Sequence, residues 1–221
     1  MMGVLALILI QASWSYQGGQ GLGFAVATMA LARDRETRMR VFAKYRRLCN
    51  TNPFMAGPLV GITIHYESTG SPDIDRVLGA LQSSMGASGD GFFWRQLRPG
   101  VSVLAVLLGT FRPQLAPFAF LLPFAAVSQV VRFAGFERGR ALGKMAAIDL
   151  SSRLVANASR LDTIVALMVG MLATRAVVAV GPVFLVVPIA ALSWSLLRSQ
   201  RFASFQLLGG LLLLLAGKLL L

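Results

Sequence analysis

Ten apolar residues open the chain. As a helix they would reach about 15 Å, half of the roughly 30 Å of hydrocarbon in a bilayer. Residues 1–11 therefore read as an N-terminal arm that lies at an interface or packs on a partner. A polar, glycine-rich patch follows, from Ser13 to Gln20. Residues 24–49 read as one amphipathic helix, because Val41, Phe42, Tyr45, Leu48 and Cys49 recur on one side at helical spacing. Asn50-Thr51-Asn52-Pro53 ends it, since proline disfavours helical geometry in the residue before it. Residues 54–64 are mostly apolar but hold Gly57, Pro58 and Gly61. They are too short to span and read as a re-entrant segment, which is tolerated at membrane depth only when buried in protein or lining a wet cavity. Residues 68–75 form a polar loop.

In Gly86-Ala87-Ser88-Gly89-Asp90-Gly91-Phe92-Phe93-Trp94 a carboxylate stands among small residues and aromatics, and Pro99 and Gly100 then mark entry into a strongly apolar half. Residues 101–110, 115–131, 161–174, 176–197 and 204–221 read as membrane-embedded helices, with breaks at Arg112-Pro113 and at Arg175. The first and third are short and need tilt or local thinning to cross. The predicted fold is all-α. It is a polytopic membrane protein whose single domain, 12–221, divides into an amphipathic and re-entrant half, 12–99, and a membrane-helix half, 100–221. It has re-entrant hairpin-like segments and about five embedded helices.

Composition strengthens this reading. The chain is 56% apolar and 14% charged, with mean hydropathy +0.68, whereas soluble domains carry about 25% charged residues. The formal charge of +12 would suggest nucleic acid in a soluble protein, but in a membrane protein it points to headgroups and cytoplasmic loops. Seven basic residues, Arg33, Arg35, Arg38, Arg40, Lys44, Arg46 and Arg47, are opposed only by Asp34 and Glu36. They read as a face for anionic lipids. If each apolar block crosses once, all basic residues but Arg76, Arg112, Arg175 and Lys218 fall on one side. The positive-inside rule makes that side cytoplasmic. One histidine, His65, and one cysteine, Cys49, leave no basis for a zinc site, a Ser-His-Asp triad or an internal disulfide. No phosphate-binding loop is present, so no catalytic residue, metal or cofactor is assigned.

Several motifs in order resemble the IID membrane component of the mannose/fructose/sorbose family of phosphotransferase systems. They are Trp14-Ser15-Tyr16 with Gln20-Gly21-Leu22-Gly23-Phe24, Asn50-Thr51-Asn52-Pro53-Phe54-Met55, and Gly61 with Glu67. Next come Asp73-Ile74-Asp75, then Gly89-Asp90-Gly91-Phe92-Phe93-Trp94 leading to Leu97-Arg98-Pro99. Val131-Arg132-Phe133-Ala134-Gly135, Gly139 to Gly143 and Leu196-Leu197-Arg198 complete the set. The resemblance implies a multi-pass subunit of the bacterial inner membrane. It would translocate a mannose-type hexose with a IIC subunit, in a higher-order oligomer of the pair, while soluble IIA and IIB components relay phosphate and phosphorylate the sugar. It also implies that this chain carries no phosphoryl group itself, which leaves His65 a structural role.

A sugar site needs directional donors and acceptors in a protected cavity, often beside aromatic surface. Within the matching motifs the substrate-binding candidates are Gln20, Asn50, Asn52, Glu67 and Asp90. Asn50, Asn52 and Asp90 are expected near the sugar path, with Gln20 and Glu67 closer to its rim. A structural reading stands beside this one: the asparagines cap a turn before proline, and Asp90 caps a helix starting at Gly91. Phe93 and Trp94 are assigned to packing. The chain departs from the family pattern at Tyr45-Arg46-Arg47, over 83–88, at Ala125 and around Ala158-Ser159-Arg160. An alternative function follows from these losses: a transport-incompetent scaffold or regulatory relative that recruits phosphotransferase components.

Overall fold

Asp34 stops the first long helix before it can run to Cys49. Its carboxylate Oδ1 accepts the Thr37 N–H at 2.8 Å, and its own backbone is extended. This N-cap starts a new helix and supersedes the single helix expected over 24–49. In this computed structural model, which describes residues 5–180 except 33 and 71–73, the two helices are α1, Gly21–Leu31, and α2, Arg35–Tyr45. After them come α3 (Ala56–Thr69), α4 (Ile74–Asp90), a π-helical turn (Gly91–Leu97), α5 (Arg98–Gly109), α6 (Ala116–Leu142) and α7 (Lys144–Val180). The described residues contain no strand. They hold two isolated bridges, Ser15 with Gly19 and Gly19 with Cys49.

The chain divides into two units. One is Met1–Arg95 with Pro123–Ala158, and the other is Gln96–Leu122 with Ser159–Leu221. In the first, α3 is the central element. Every residue from Ala56 to Thr63 is buried, and burying each of Leu59, Val60 and Ile62 away from water contributes about 1.5–3 kcal/mol. Two pairs of glycines let α3 and α6 approach at backbone contact. A Cβ on Gly57 would meet the Arg132 carbonyl at 2.5 Å, and one on Gly61 would strike the Phe136 carbonyl. From the other side, a Cβ on Gly139 would lie 2.5 Å from the Pro58 carbonyl and one on Gly135 would strike the Pro58 ring. Both pairs are spaced i, i+4, the small-residue pattern that brings helix backbones together without side chains between them. Of the described N-terminal arm, Leu7 and Ile10 pack on their own chain, each 1% exposed, while Leu5, Ile8 and Leu9 are exposed.

The second unit's described part holds α5 and the outer portions of α6 and α7. Arg175 does not break α7 as expected. Its guanidinium lies 4.1 Å from the Phe111 ring centroid, which accommodates the charge while α7 runs on to Val180. The count of single crossings with a break at that arginine therefore does not hold. Gly143, at φ +56°, supplies the left-handed residue that joins α6 to α7. Among the described residues, two helices are long and apolar enough to cross a membrane, Pro113–Leu142 and Lys144–Ala179. Their side chains are largely uncovered, with Phe118, Leu121, Leu122, Val130, Leu167 and Met171 exposed. At 12 residues, α5 reaches about 18 Å and is short for a span. The expected helix 204–221, most of 176–197, and the motif residues Asp73 and Leu196 to Arg198 lie outside the described residues.

Candidate functional site

The break after α2 is stitched to the glycine-rich patch before α1. Gly19 adopts φ +55°. The Gln20 N–H donates to the Cys49 carbonyl at 2.7 Å, and the Cys49 N–H to the Gly18 carbonyl at 3.2 Å. From this seam the Gln20 side chain, 2% exposed, donates through Nε2 to the Thr51 carbonyl at 2.5 Å. Cys49 is buried beneath the seam, and that burial pushes its thiol up to about 12. It stays protonated and unreactive at neutral pH. Asn50, by contrast, is exposed.

Thr51-Asn52-Pro53 then seats on the small-residue face of α4. Gly89 is the requirement there, since a Cβ on it would lie 2.6 Å from both the Asn52 Cβ and the Met55 Cγ. Asn52 is 2% exposed. Its Oδ1 accepts the Phe54 N–H at 3.0 Å, and its Nδ2 donates to the Asp90 carboxylate at 2.8 Å. The amide therefore does two things. It closes the turn, as the structural reading of asparagine before proline expects, and it orients Asp90. Asp90 is not the cap of a new helix. The chain passes from α4 into the π-helical turn without leaving helical geometry, and the exposed Asp90 carboxylate is engaged from the side by Asn52. π-Helical turns inside α-helices often mark functional sites.

Phe54, next to the pair, anchors an aromatic wall. Its ring centroid lies 4.5 Å from Phe93, 5.8 Å from Trp94 and 5.6 Å from Phe124. The Arg132 guanidinium sits 5.4 Å from the same centroid. Arg132 is 6% exposed and donates to the Gln129 Oε1 at 3.0 Å. Among the described residues no carboxylate pairs with it. Sequence reasoning placed Arg132 only within a motif and missed it as a candidate for the site. The available signal was a lone arginine one helical turn after Ser128 in a long apolar run.

Glu67 belongs to a different cluster. It lies eleven residues beyond the start of α3, about 16 Å along the helix. Tyr45 Oη donates to its carboxylate, as do Lys44 Nζ at 3.1 Å and Arg40 at 3.2 Å. Lys44 also reaches Asp75 at 3.4 Å. Burial disfavours the Glu67 charge, but the bonds from Tyr45 and Lys44 and the charges of Lys44 and Arg40 outweigh it and hold the carboxyl below the usual range. Burial and the Glu67 carboxylate together push the Tyr45 phenol upward. A cavity of about 680 Å³ lined by Thr28, Asp34, Glu67, Glu137 and Arg140 opens beside this cluster. A second, of about 510 Å³, lies between Phe24, Tyr45, Cys49 and Leu78. Neither is lined by Gln20, Asn52 or Asp90. Among the described residues, no three His, Cys, Asp or Glu side chains gather as a metal site would require.

The family model described as PTS system mannose/fructose/sorbose family IID component matches residues 2–186. The chain belongs to this family. It is a membrane protein, a IID component of the mannose family of phosphotransferase systems. It is 26% identical over 147 residues to the mannose-specific EIID component of Escherichia coli K12, covering 61% of this chain and 52% of that protein. It is 26% identical over 177 residues to the sorbose-specific EIID component of Lacticaseibacillus casei, covering 75% and 63%. The IID chain thus spans about half the length of the E. coli relative it matches. Two solved structures share the fold. One is a membrane protein with TM-score 0.61 and 24% identity, covering 72% of this chain and 64% of that one. The other is a cryo-EM structure of the mannose transporter ManYZ with microcin E492, with TM-score 0.56 and 20% identity, covering 99% and 96%.

In this IID chain the matching motifs resolve into two groups. Gln20, Asn52 and Asp90 are joined through the 51–52 turn, with Asn50 exposed beside it. Glu67 stands apart with the basic residues of α2. The His65 Nδ1–H donates to the Arg140 carbonyl at 3.0 Å, so that nitrogen is spent tying α3 to the end of α6.

Proposed function

We propose that this IID chain is the membrane subunit of a sugar phosphotransferase permease and translocates mannose-type hexoses together with a IIC-type subunit. Soluble IIA and IIB components phosphorylate the sugar. The observation that carries this reading is the Asn52–Asp90 pair held beside the aromatic wall of Phe54, Phe93 and Trp94. Asp90 is exposed and keeps acceptor capacity beyond its one bond to Asn52, while the wall offers the apolar surface that sugar rings pack against. Asn50 adds an exposed amide to the same turn. Gln20 and Glu67 act at the rim, by holding the turn and the α2–α3 contact. A chain whose only histidine has one ring nitrogen committed to a backbone carbonyl fits a subunit that leaves phosphoryl transfer to soluble partners.

On this reading the protein is a multi-pass component of the bacterial inner membrane. Anionic lipids meet Arg35, Arg38, Arg46 and Arg47, and the IIC–IID pair forms a higher-order oligomer. The test is co-purification of the tagged chain with its IIC subunit in detergent, followed by mannose binding to the complex. Uptake is then measured in a strain lacking its own pair. Association with saturable binding and restored uptake supports the proposal, and correct assembly without uptake overturns it. The scaffold reading rests on Ala125, an exposed apolar side chain on α6 where the family resemblance leads one to expect asparagine. Association without sugar binding would favour it.

A further inference from the structure

The Phe54 cluster contains a charge that the chain itself does not satisfy. Arg132 lies within a helix, Pro113–Leu142, that is long and apolar enough to span a membrane. Its Nε and the Ser128 Oγ one turn earlier are both buried and have no hydrogen-bond partner among the described residues. Ser128 is 1% exposed. A guanidinium left with an unmade bond in a low-dielectric interior is costly, and ionisable groups at membrane depth mark functional pathways. Two polar groups one turn apart on the buried face of α6 are thus left without a partner from the described residues.

The chemistry that would satisfy them follows from their surroundings. Ser128, Arg132, Gly135, Phe136 and Gly139 form the buried stripe of α6, facing away from the exposed apolar side that a partner subunit or lipid would cover. Phe54 links the two halves of the site: its N–H is bonded to Asn52, which holds Asp90, and its ring carries the Arg132 guanidinium. A carboxylate that accepts, a guanidinium that donates and an aromatic ring between them match a neutral polyhydroxyl ligand.

We infer that Arg132 and Ser128 are sugar-binding residues, donating to and exchanging hydrogen bonds with hydroxyls of the transported hexose across Phe54 from Asn52 and Asp90. The inference rests on the permease reading and adds two residues to its site. The test uses the intact complex with its IIC subunit and measures mannose binding alongside thermal unfolding without ligand. Ser128→Ala is expected to weaken mannose binding by about three- to tenfold and Arg132→Lys by about tenfold or more. Each variant should also discriminate less than wild type between mannose and its monodeoxy analogues. A purely structural role predicts the reverse for Ser128→Ala: unchanged mannose affinity and a higher melting temperature, because a buried orphan hydroxyl has been removed. That result overturns the inference. Loss of IIC association in Arg132→Lys, with mannose affinity unchanged in Ser128→Ala, would reassign the arginine to a subunit contact and overturn it as well. If the wild-type complex binds no mannose, the permease reading itself falls.

Discussion

At the residue scale, the Asn52 amide is committed at both ends, and this separates stability from function at Asp90. Asp90→Ala strands the buried Nδ2 of Asn52 and is expected to cost about 1–3 kcal/mol, seen as a lower melting temperature of the purified complex. Asp90→Asn preserves an acceptor for that amide and should melt close to wild type. If the carboxylate contacts sugar, uptake is lost in both variants, and Asp90→Asn with normal uptake would remove Asp90 from the path. Glu67 behaves differently because its carboxyl is held below the ordinary range. The folded state binds that proton less readily than the unfolded chain does. Its stabilising contribution is therefore present above the unfolded value of about 4.3 and disappears as pH falls through the lower folded value. Glu67→Gln should flatten the acid limb of the stability profile below about pH 4.3, measured by thermal unfolding across pH 3 to 6. Near neutral pH it should leave mannose affinity within about threefold of wild type, since Glu67 lies at the far end of α3 from Asn52.

At the element scale, glycine position decides how much a side chain costs. Gly61→Leu and Gly139→Leu both insert volume where the α3 and α6 backbones touch and are expected to abolish the folded, monodisperse species in detergent, read by size-exclusion chromatography. Gly79, in the exposed middle of α4, has nothing within 4 Å of its would-be Cβ. Gly79→Ala should therefore raise stability by about 0.5–1 kcal/mol. Helical periodicity and the proline breaks made parts of α1, α2, α5, α6 and α7 readable in advance, whereas α4 and the stretch 132–160 were not read as helix. Two of the differences have local causes. The Asp34 cap, three residues before Thr37, overrode an unbroken periodic pattern between α1 and α2. At Arg175, an aromatic ring absorbed a charge that otherwise reads as an end.

At the scale of the whole molecule, the outward apolar side chains of α6 and α7 require a non-aqueous neighbour. Spin labels at Phe118, Leu121 and Val130 on the chain alone in bilayers should be accessible to lipid-dissolved oxygen. Addition of the IIC subunit should protect a contiguous subset of them, and uniform accessibility would show that this face meets lipid only.

The sequence alone determined the all-helical class, the membrane setting, the family and the polar residues worth testing. These depend on composition, on hydrophobic period and on local turn chemistry such as Asn-Thr-Asn-Pro, all of which are written in contiguous residues. Which candidates meet was decided by the tertiary structure. Asn52 finds Asp90, 38 residues away, because Gly89 lets the turn sit on α4. Glu67 is drawn instead to Arg40 and Lys44, because α2 packs along the other end of α3. Arg132 meets the Phe54 ring only because Gly57 leaves room for it. Those pairings depend on which backbones can approach across the fold, and that is set by volume at distant positions rather than by the order of residues along the chain.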